Sequence, residues 1–381
     1  MQFSITKFTF MKYVAYVFRF TLGAVFVFSG FVKAVDPLGS AYKFIDYFSA
    51  FNLVWLNSFA LFLGIALSAL EFVIGGALLF GVKNKLSSLF GLLFMAFFTP
   101  LTLYLAIKNP VTDCGCFGDA IIMTNWETFY KNVVLIIFAI ITFIYRKKFK
   151  VLMSCRKEWI VVALLTLISV SFSVYGLRHL PVMDFRPWKE GSSMKIQGDG
   201  EDKYFLIYKN KETGEIQEYL SPDFPWDDSL WMATWEFVDQ RIEAAPFPET
   251  YIYIGDESGQ DYFKSFTQHD GYQFMLILYY IEDASLKRMD HIKTFAEKSL
   301  ENNIDFIAIT GSTPETAAKF REDYSLPFEI FFSDEITLKT IVRSNPGLVL
   351  IKDGVVIKKW SQLDIPEFEK IDFEKLSSRF F

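Results

Sequence analysis

Leu53 to Phe80 reads LVWLNSFALFLGIALSALEFVIGGALLF. Only one residue in it, Glu71, carries a charge. A helix needs about 20 mainly apolar residues to cross a bilayer, so this stretch is read as a membrane span. Four more qualify on either side of it: 12–34, 86–107, 127–145 and 159–177. The stretch 12–34 does not read as a signal peptide. Arg19 lies in its middle, its apolar core is long, and no clean small-residue cleavage site stands near Lys33.

The whole chain hides this division. Its 381 residues are 52% hydrophobic with a net charge of −6 and a mean hydropathy of +0.25, too apolar for an ordinary soluble domain. Charged residues are 22%, close to the roughly 25% of soluble proteins. Residues 1–180 carry 16 Lys and Arg against 7 Asp and Glu, and residues 181–381 carry 22 against 37. An acidic second half without a basic patch argues against a nucleic-acid partner, and 3 Cys cannot build a disulfide-stapled scaffold.

Positive charge in short loops marks the cytoplasmic side. Arg146-Lys147-Lys148-Phe149-Lys150, followed by Arg156-Lys157, is therefore placed inside, as are Lys83, Lys85 and the N-terminus with Lys7 and Lys12. The segments 35–52, where Asp36 and Asp46 balance Lys43, and 108–126 then fall outside, and five spans put everything after residue 180 outside as well. The expected setting is a bacterial inner membrane crossed several times, with lipid as the first partner, a cytoplasmic N-terminus and a periplasmic C-terminal domain.

Two ionisable residues fall within spans, Arg19 and Glu71. A charge at membrane depth costs a few kcal/mol or more unless paired or near water, and marks a functional site by default. The two are expected either to form an ion pair locking the first two spans or to mark a transport site. Gly23, Gly30, Gly64, Gly75, Gly76 and Gly91 suggest close helix packing.

The loop between the third and fourth spans reads Thr112-Asp113-Cys114-Gly115-Cys116-Phe117-Gly118-Asp119. Two thiols one residue apart, with a Gly that lets the backbone bend, can close a small, strained and easily reduced disulfide, and the outer side of an inner membrane is oxidising. Cys114 and Cys116 are thus read as a redox pair. The alternatives are a static loop staple, for which a short ring gains little from loop closure, or unpaired thiols. Zinc would need four ligands, and no His lies in this loop, so no metal site is expected. Asp113 and Asp119 are expected to disfavour a thiolate. Cys155, in the basic loop, takes no part.

These residues carry a resemblance. Arg19-Phe20-Thr21-Leu22-Gly23 with Phe28-Ser29-Gly30-Phe31-Val32-Lys33, Leu70-Glu71 followed by Gly75-Gly76, and Cys114-Gly115-Cys116-Phe117-Gly118 are similar to the DoxX and MauE group of small four-helix membrane proteins, over about residues 12–148. The Cys-Gly-Cys-Phe-Gly loop favours the MauE-like branch. The resemblance implies a role in envelope thiol and disulfide chemistry, linked to quinone or to the maturation of a partner. The fifth span is an addition to the four-helix pattern and exports the C-terminal half.

Beyond it, Arg186 to Gly200 reads as a polar linker. Tyr204–Tyr208 and Ile216–Tyr219 flank hairpin composition. Trp226, Trp231 and Trp235 have the spacing of one amphipathic helical face rather than of a groove. From 250 the expected order is a strand at Tyr251–Ile254, a buried strand at Phe274–Ile281, a helix at Ser285–Asn303, a strand at Ile304–Thr310 and a helix at Thr313–Tyr324. A strand at Phe328–Phe332, a short helix at Ile336–Val342 and a hairpin of Gly347–Ile351 with Val355–Trp360 follow. Such alternation reads as an α/β sandwich.

That order resembles the thioredoxin-like fold over about residues 250–375. Ser344-Asn345-Pro346-Gly347-Leu348-Val349-Leu350-Ile351 matches the segment holding that fold's cis-proline, which implies a peptide-binding edge at Asn345 and Pro346. The family's Cys-x-x-Cys is missing: the corresponding turn reads Glu282-Asp283-Ala284-Ser285-Leu286-Lys287-Arg288-Met289, and no Cys follows residue 155. His269 and His291 read as surface or capping groups.

The expected architecture is an α-helical membrane bundle, a four-helix core at 1–150 plus a fifth span at 151–180, then a linker, hairpin and aromatic region at 181–249 and an α/β domain at 250–381. Two functions compete. In one, Cys114 and Cys116 cycle between dithiol and disulfide while the outer domain recruits an envelope thiol protein or another client. In the other, the bundle anchors a non-enzymatic binding module and the cysteines are a staple.

Overall fold

The computed structural model describes residues 2–151, 153–196, 202–243 and 248–381, and the chain divides into two compact units, Met1–Arg186 and Pro187–Phe381. The first unit is built from α1 (Gln2–Val35), α2 (Pro37–Ala50), α3 (Ala60–Phe80), α4 (Asn84–Lys108), α5 (Asn125–Tyr145) and α6 (Cys155–Arg178). Five segments among the described residues are long and apolar enough to cross a membrane: Met11–Val35, Val54–Phe80, Asn84–Lys108, Asn125–Tyr145 and Cys155–Arg178. They coincide with the five expected spans to within a few residues. Large apolar side chains such as Phe62, Phe97, Ile144 and Leu167 point out of the bundle, as they do where the surroundings are hydrocarbon rather than water.

Inside, Leu22 and Phe26 of α1 pack with Ile74 and Leu78 of α3, Met95 of α4, and Leu135 and Ala139 of α5. The α1–α3 seam is closed by glycine. A Cβ on Gly75 would lie 2.5 Å from Val27 N and 2.8 Å from Gly23 O, and one on Gly30 would lie 2.5 Å from Phe72 N. These are backbone atoms, so the helices touch main chain to main chain, the close approach that small residues allow in membranes.

The segment 35–52, expected only as an outside loop, is mostly the helix α2. Asp36 caps it by accepting from Gly39 N, and Pro37 opens it, where a missing N–H costs nothing. Ala41 and Phe48 bury against Ala60 at the start of α3, leaving Lys43 and Tyr47 to reach the cysteine loop. α5 begins with a capping box between Thr124 and Glu127, which ends that loop sharply.

The second unit contains β1 (Lys203–Asn210), β2 (Ile216–Leu220), α7 (Ser229–Thr234), β3 (Trp235–Glu243), α8 (Phe263–Thr267), β4 (Tyr272–Leu278), α9 (Met289–Glu301), β5 (Asp305–Thr310), α10 (Pro314–Asp323), β6 (Glu329–Phe332), α11 (Glu335–Ile341), β7 (Gly347–Lys352), β8 (Val355–Ser361) and α12 (Phe373–Ser377). Its larger sheet runs β6-β5-β4-β7-β8, with β4 parallel to β5, β5 parallel to β6, and β7 antiparallel to both β4 and β8. β4 is buried almost throughout, as a central strand covered on both faces must be. The β7–β8 turn places Asp353 and Gly354 at positive φ, the geometry that makes Asp-Gly a hairpin signal.

Three expectations are corrected in this unit. Trp226, Trp231 and Trp235 do not share a helical face: α7 is only six residues long, Trp235 opens β3, and β3 pairs with β1 to make a three-stranded sheet, β2-β1-β3. The aromatic spacing serves stacking instead, with Trp231 and Trp235 rings 6.0 Å apart and Tyr208 4.7 Å from Trp231. Tyr251–Ile254 is not a strand; a single bridge joins Gly255 to Phe332. Nor is the start of the linker loose. Trp188 and Met194 are fully buried, and Gly191 N and Met194 N donate to Val356 O and Gly354 O, so this segment packs along the β7–β8 hairpin. The remainder of that reading, 197–200, lies outside the described residues.

Replacing Gly75 with Ala puts a methyl group against main chain that cannot step aside. Overpacking of this kind costs about 1–3 kcal/mol, and a lowered thermal midpoint of the purified protein in detergent is the expected result.

Candidate functional site: a cysteine pair over a buried ion pair

The two thiols meet. Cys114 Sγ lies 3.1 Å from Cys116 Sγ, both half-buried and unbonded. Gly115 sits between them at φ +66°, a left-handed conformation that a side chain resists, and its N–H donates to Asp113 Oδ1 at 2.8 Å. The pair is therefore held by a tight turn that the sequence Asp-Cys-Gly-Cys writes locally.

Two helices anchor this turn. Lys43 Nζ of α2 lies 2.7 Å from Asp113 Oδ2, Tyr47 donates its hydroxyl to Cys114 O at 3.0 Å, and Ser29 Oγ of α1 lies 2.6 Å from Cys116 O. Beyond the cysteines, Phe117 is buried against Phe28, with ring centroids 5.4 Å apart, and Lys131 of α5 places its ammonium 4.3 Å from the Phe117 ring centre.

Beneath the turn is the charge buried in α3. Glu71 does not pair with Arg19. Its carboxylate receives Lys33 Nζ at 2.9 and 2.8 Å, and Lys33 also donates to Ser29 Oγ at 2.9 Å, which in turn lies 2.8 Å from Glu71 Oε2. Arg19 is fourteen positions earlier in α1, about 21 Å away at 1.5 Å per residue. It reaches the other end of the bundle, where Nη1 donates to Asn84 Oδ1 at 3.0 Å and the guanidinium lies over Tyr16 and Phe149. These contacts place Arg19 near the basic loop rather than beside Glu71. Cys155 is exposed, 3.0 Å from Lys83 Nζ, and separate from the other two cysteines.

The electrostatics of the thiols are set by each other and by Lys131 and Lys33. The Cys116 thiol is held down to about 6, first by the hydrogen bond from Cys114 and then by the ammonium charges of Lys131 and Lys33, against its own burial. Cys114 is pushed up, first by that same hydrogen bond and then by burial: one proton stays on Cys114 and is shared toward a Cys116 thiolate. Tyr47 is also pushed up, mainly by burial, so it remains a donor. Asp113, expected to oppose a thiolate, is engaged by Lys43 and Gly115 N. Ser29 and Lys33 stand one helical turn apart on α1, the spacing at which side chains share a face, but nothing local in the sequence pairs that face with Glu71. For Lys43, Tyr47 and Lys131 no local signal existed.

In the second unit, the Asn345–Pro346 bond is cis, and Pro346 is buried. Asn345 clamps the turn after β4. Its Oδ1 accepts from Tyr279 N at 3.1 Å, its Nδ2 donates to Tyr280 O at 3.0 Å, and its carbonyl accepts from Ser285 N at 3.0 Å. Those groups are committed within the domain. His291 Nε2 lies 3.1 Å from the carbonyls of Ile365 and Pro366, and His269 lies 3.6 Å from Asp305.

Residues 11–145 match the family described as methylamine utilisation protein MauE. The matched stretch takes in α1 from Met11 through α5, with the cysteine turn and the Lys33–Glu71 pair inside it. No curated protein and no solved structure matches the chain. The bundle and this match define a multi-span integral membrane protein.

Two outcomes test the electrostatics. In full-length Cys155→Ser protein, alkylation of Cys116 by a small neutral reagent should reach half its maximum near pH 6; Lys131→Gln removes a charge that favours the thiolate and should move that midpoint upward. Asn345→Ala leaves Tyr279 N and Tyr280 O without their partners, at a cost of about 1–3 kcal/mol each, and should lower the unfolding midpoint of the second unit as read by its tryptophan fluorescence.

Proposed function

We propose that the protein is a membrane thiol–disulfide oxidoreductase component in which Cys114 and Cys116 cycle between dithiol and disulfide. The observation that carries this reading is the meeting of the two sulfurs at 3.1 Å, with the Cys116 thiol held down first by the hydrogen bond from Cys114 and then by the charges of Lys131 and Lys33. A bonded pair needs about 2.05 Å, so closure takes a small movement within the turn.

The same charges favour one direction. Stabilising a thiolate stabilises the reduced form and makes the disulfide an oxidant. A client thiolate attacks Cys114 Sγ, the Cys114–Cys116 bond breaks, and Cys116 leaves as the thiolate opposite Lys131 and Lys33. The client's second thiolate then attacks its own sulfur in the mixed disulfide and expels Cys114, which takes a proton. Two electrons pass to the pair and the client gains a disulfide.

The proposed orientation puts the cysteine turn on the outer, periplasmic side, supported by the concentration of Lys83, Arg146, Lys147, Lys148 and Lys150 in the other set of loops. The second unit is proposed to be a thioredoxin-like domain without redox cysteines that recruits the client. Its sheet order and strand directions support that reading, and with Asn345 committed to the turn after β4, recruitment is assigned to the domain's outer surface rather than to that residue.

A static staple is the second reading, favoured by the anchoring of the turn through Ser29, Lys43 and Tyr47. Thiol trapping of membranes before and after mild reductant separates the two. Under the redox reading Cys114 and Cys116 change state, and the Cys114→Ser/Cys116→Ser protein loses all disulfide transfer to a reduced model client while remaining folded in the membrane. A pair that never changes state would leave only the staple.

A further inference from the structure

Arg19 is a buried cation with no anion beside it. It is 9% exposed, and among the described residues no carboxylate lies within ion-pair distance of it. Its one hydrogen bond goes to the neutral Asn84 amide, its Nε is buried without a partner, and Nη2 donates to no described residue. A guanidinium has five N–H donors, and burying a charge is costly unless it is paired. The group is nevertheless held firmly. It lies 5.1 Å from the Tyr16 ring centre and 4.8 Å from that of Phe149. The Tyr16 hydroxyl accepts from Lys150 N at 3.0 Å, and Asn84 Nδ2 donates to Lys150 O at 3.4 Å. Gly81, at φ +67°, closes α3 beside it; a Cβ there would lie 3.0 Å from Nη1 and 3.5 Å from Nη2, so no side chain of residue 81 covers that edge. α4 also begins at this corner, and its N-cap, Lys83, makes no side-chain cap; uncapped N–H groups at the start of a helix favour an anion. The surrounding chain supplies none. Residues 1–19, 81–85 and 146–158 carry 11 Lys and Arg against one acid, Glu158, and both of its oxygens face Lys83, one 3.0 Å from the backbone N and one 3.3 Å from the ammonium.

We propose that Arg19 binds the phosphate of a phospholipid headgroup, drawn from the leaflet on the basic side of the bundle. The level is right for a headgroup: the contacts of Arg19 are with the end of α3, the start of α4 and the loop after α5, where the apolar spans stop. The neighbouring face is right for acyl chains. Tyr13, Val17 and Phe20 stand at helical spacing on α1 next to Arg19 and are exposed, an apolar stripe leading from the guanidinium into the hydrocarbon. The chemistry is right for phosphate, since the planar guanidinium fork matches phosphate oxygens and sheds water more readily than an ammonium. Basic pockets between membrane helices take lipid headgroups on these terms. The bound phosphate supplies the anion that the chain lacks, accepting first from Nη2. This site is at the opposite end of the bundle from the cysteine turn and does not depend on the redox reading.

The test titrates the full-length protein, in a phosphate-free maltoside detergent, with dioctanoyl phosphatidylglycerol, and reads native mass spectra and the thermal midpoint. Wild type should hold one such lipid and gain in midpoint. Arg19→Gln should bind it about tenfold more weakly, the worth of one hydrogen bond to a charged group. Lys147→Gln removes an exposed cation from the same basic loop and should leave the affinity within about twofold, as a solvated surface charge does. Two further arms identify the ligand on wild type alone, and they decide the matter if Arg19→Gln does not fold. Dioctanoylglycerol, with the same chains and no phosphate, should bind about tenfold more weakly than the phospholipid, and inorganic phosphate at the same concentration should leave the midpoint unmoved. Equal affinity in wild type and Arg19→Gln, an equal loss in Lys147→Gln, or equal binding of dioctanoylglycerol overturns the proposal. Stabilisation by inorganic phosphate as large as that by the phospholipid assigns the guanidinium to a soluble anion and overturns the lipid source.

Discussion

Lys33 and Glu71 face each other at 2.8 Å with side chains 9% and 5% exposed, and most of what is distinctive in the first unit depends on that contact. Removing two charges from water costs several kcal/mol each, and their attraction repays it only when geometry is good and the remaining hydrogen-bonding capacity is filled. Both conditions are met here by α1 and α3 lying main chain to main chain at Gly23, Gly30 and Gly75, which brings Glu71 within reach of two residues, Ser29 and Lys33, on one face of α1. A bulkier seam would separate the charges and leave each uncompensated in an apolar interior. The glycines and the ion pair are therefore one device, and Ser29 extends it to the backbone of Cys116.

The cysteine turn inherits its electrostatics from this device and from α5. An isolated Cys-Gly-Cys turn near two aspartates would favour neutral thiols. In the folded bundle Lys43 and Gly115 N engage Asp113, while Lys131 and Lys33 present positive charge to Cys116. The asymmetry between the two sulfurs rests first on the hydrogen bond between them and then on burial and these charges: the Cys114 thiol is pushed up and the Cys116 thiol held down. Four separate elements, α1, α2, α5 and the loop itself, supply the parts.

This distribution explains what the sequence revealed and what it did not. The spans were legible because hydrocarbon imposes a length and a composition on any helix that crosses it. The α/β order was legible because strand and helix periods differ, and β4, β5 and β7 match the runs expected for them to within three residues at each end. The cysteine turn was legible because its chemistry is local. The partner of Glu71 was not: sequence shows that a buried charge needs a counterion but not which helix supplies it, and Lys33, close to the end of its span, read as a flanking charge. Arg19 drew attention as the other intramembrane charge, yet helix length alone carries it to the opposite end. The tryptophans were misassigned for a related reason, since spacings of five and four residues fit a helical face and equally fit a turn and short helix running into a strand.

The second unit sharpens the case for the turn by what it commits elsewhere. Its central strand β4 ends in a turn closed by Asn345, with both ends of that amide and the adjoining carbonyl already bonded to Tyr279, Tyr280 and Ser285, and with Ser312 donating to Glu282 at 2.6 Å. In a redox domain such a turn must carry a reactive sulfur and yield to a substrate. Here it carries none, and its polar groups are engaged in holding the backbone in place. The two neighbouring cysteines thus lie in the unit whose buried charges bear on their thiols, while the turn closed by Asn345 carries no sulfur and is held by its own hydrogen bonds.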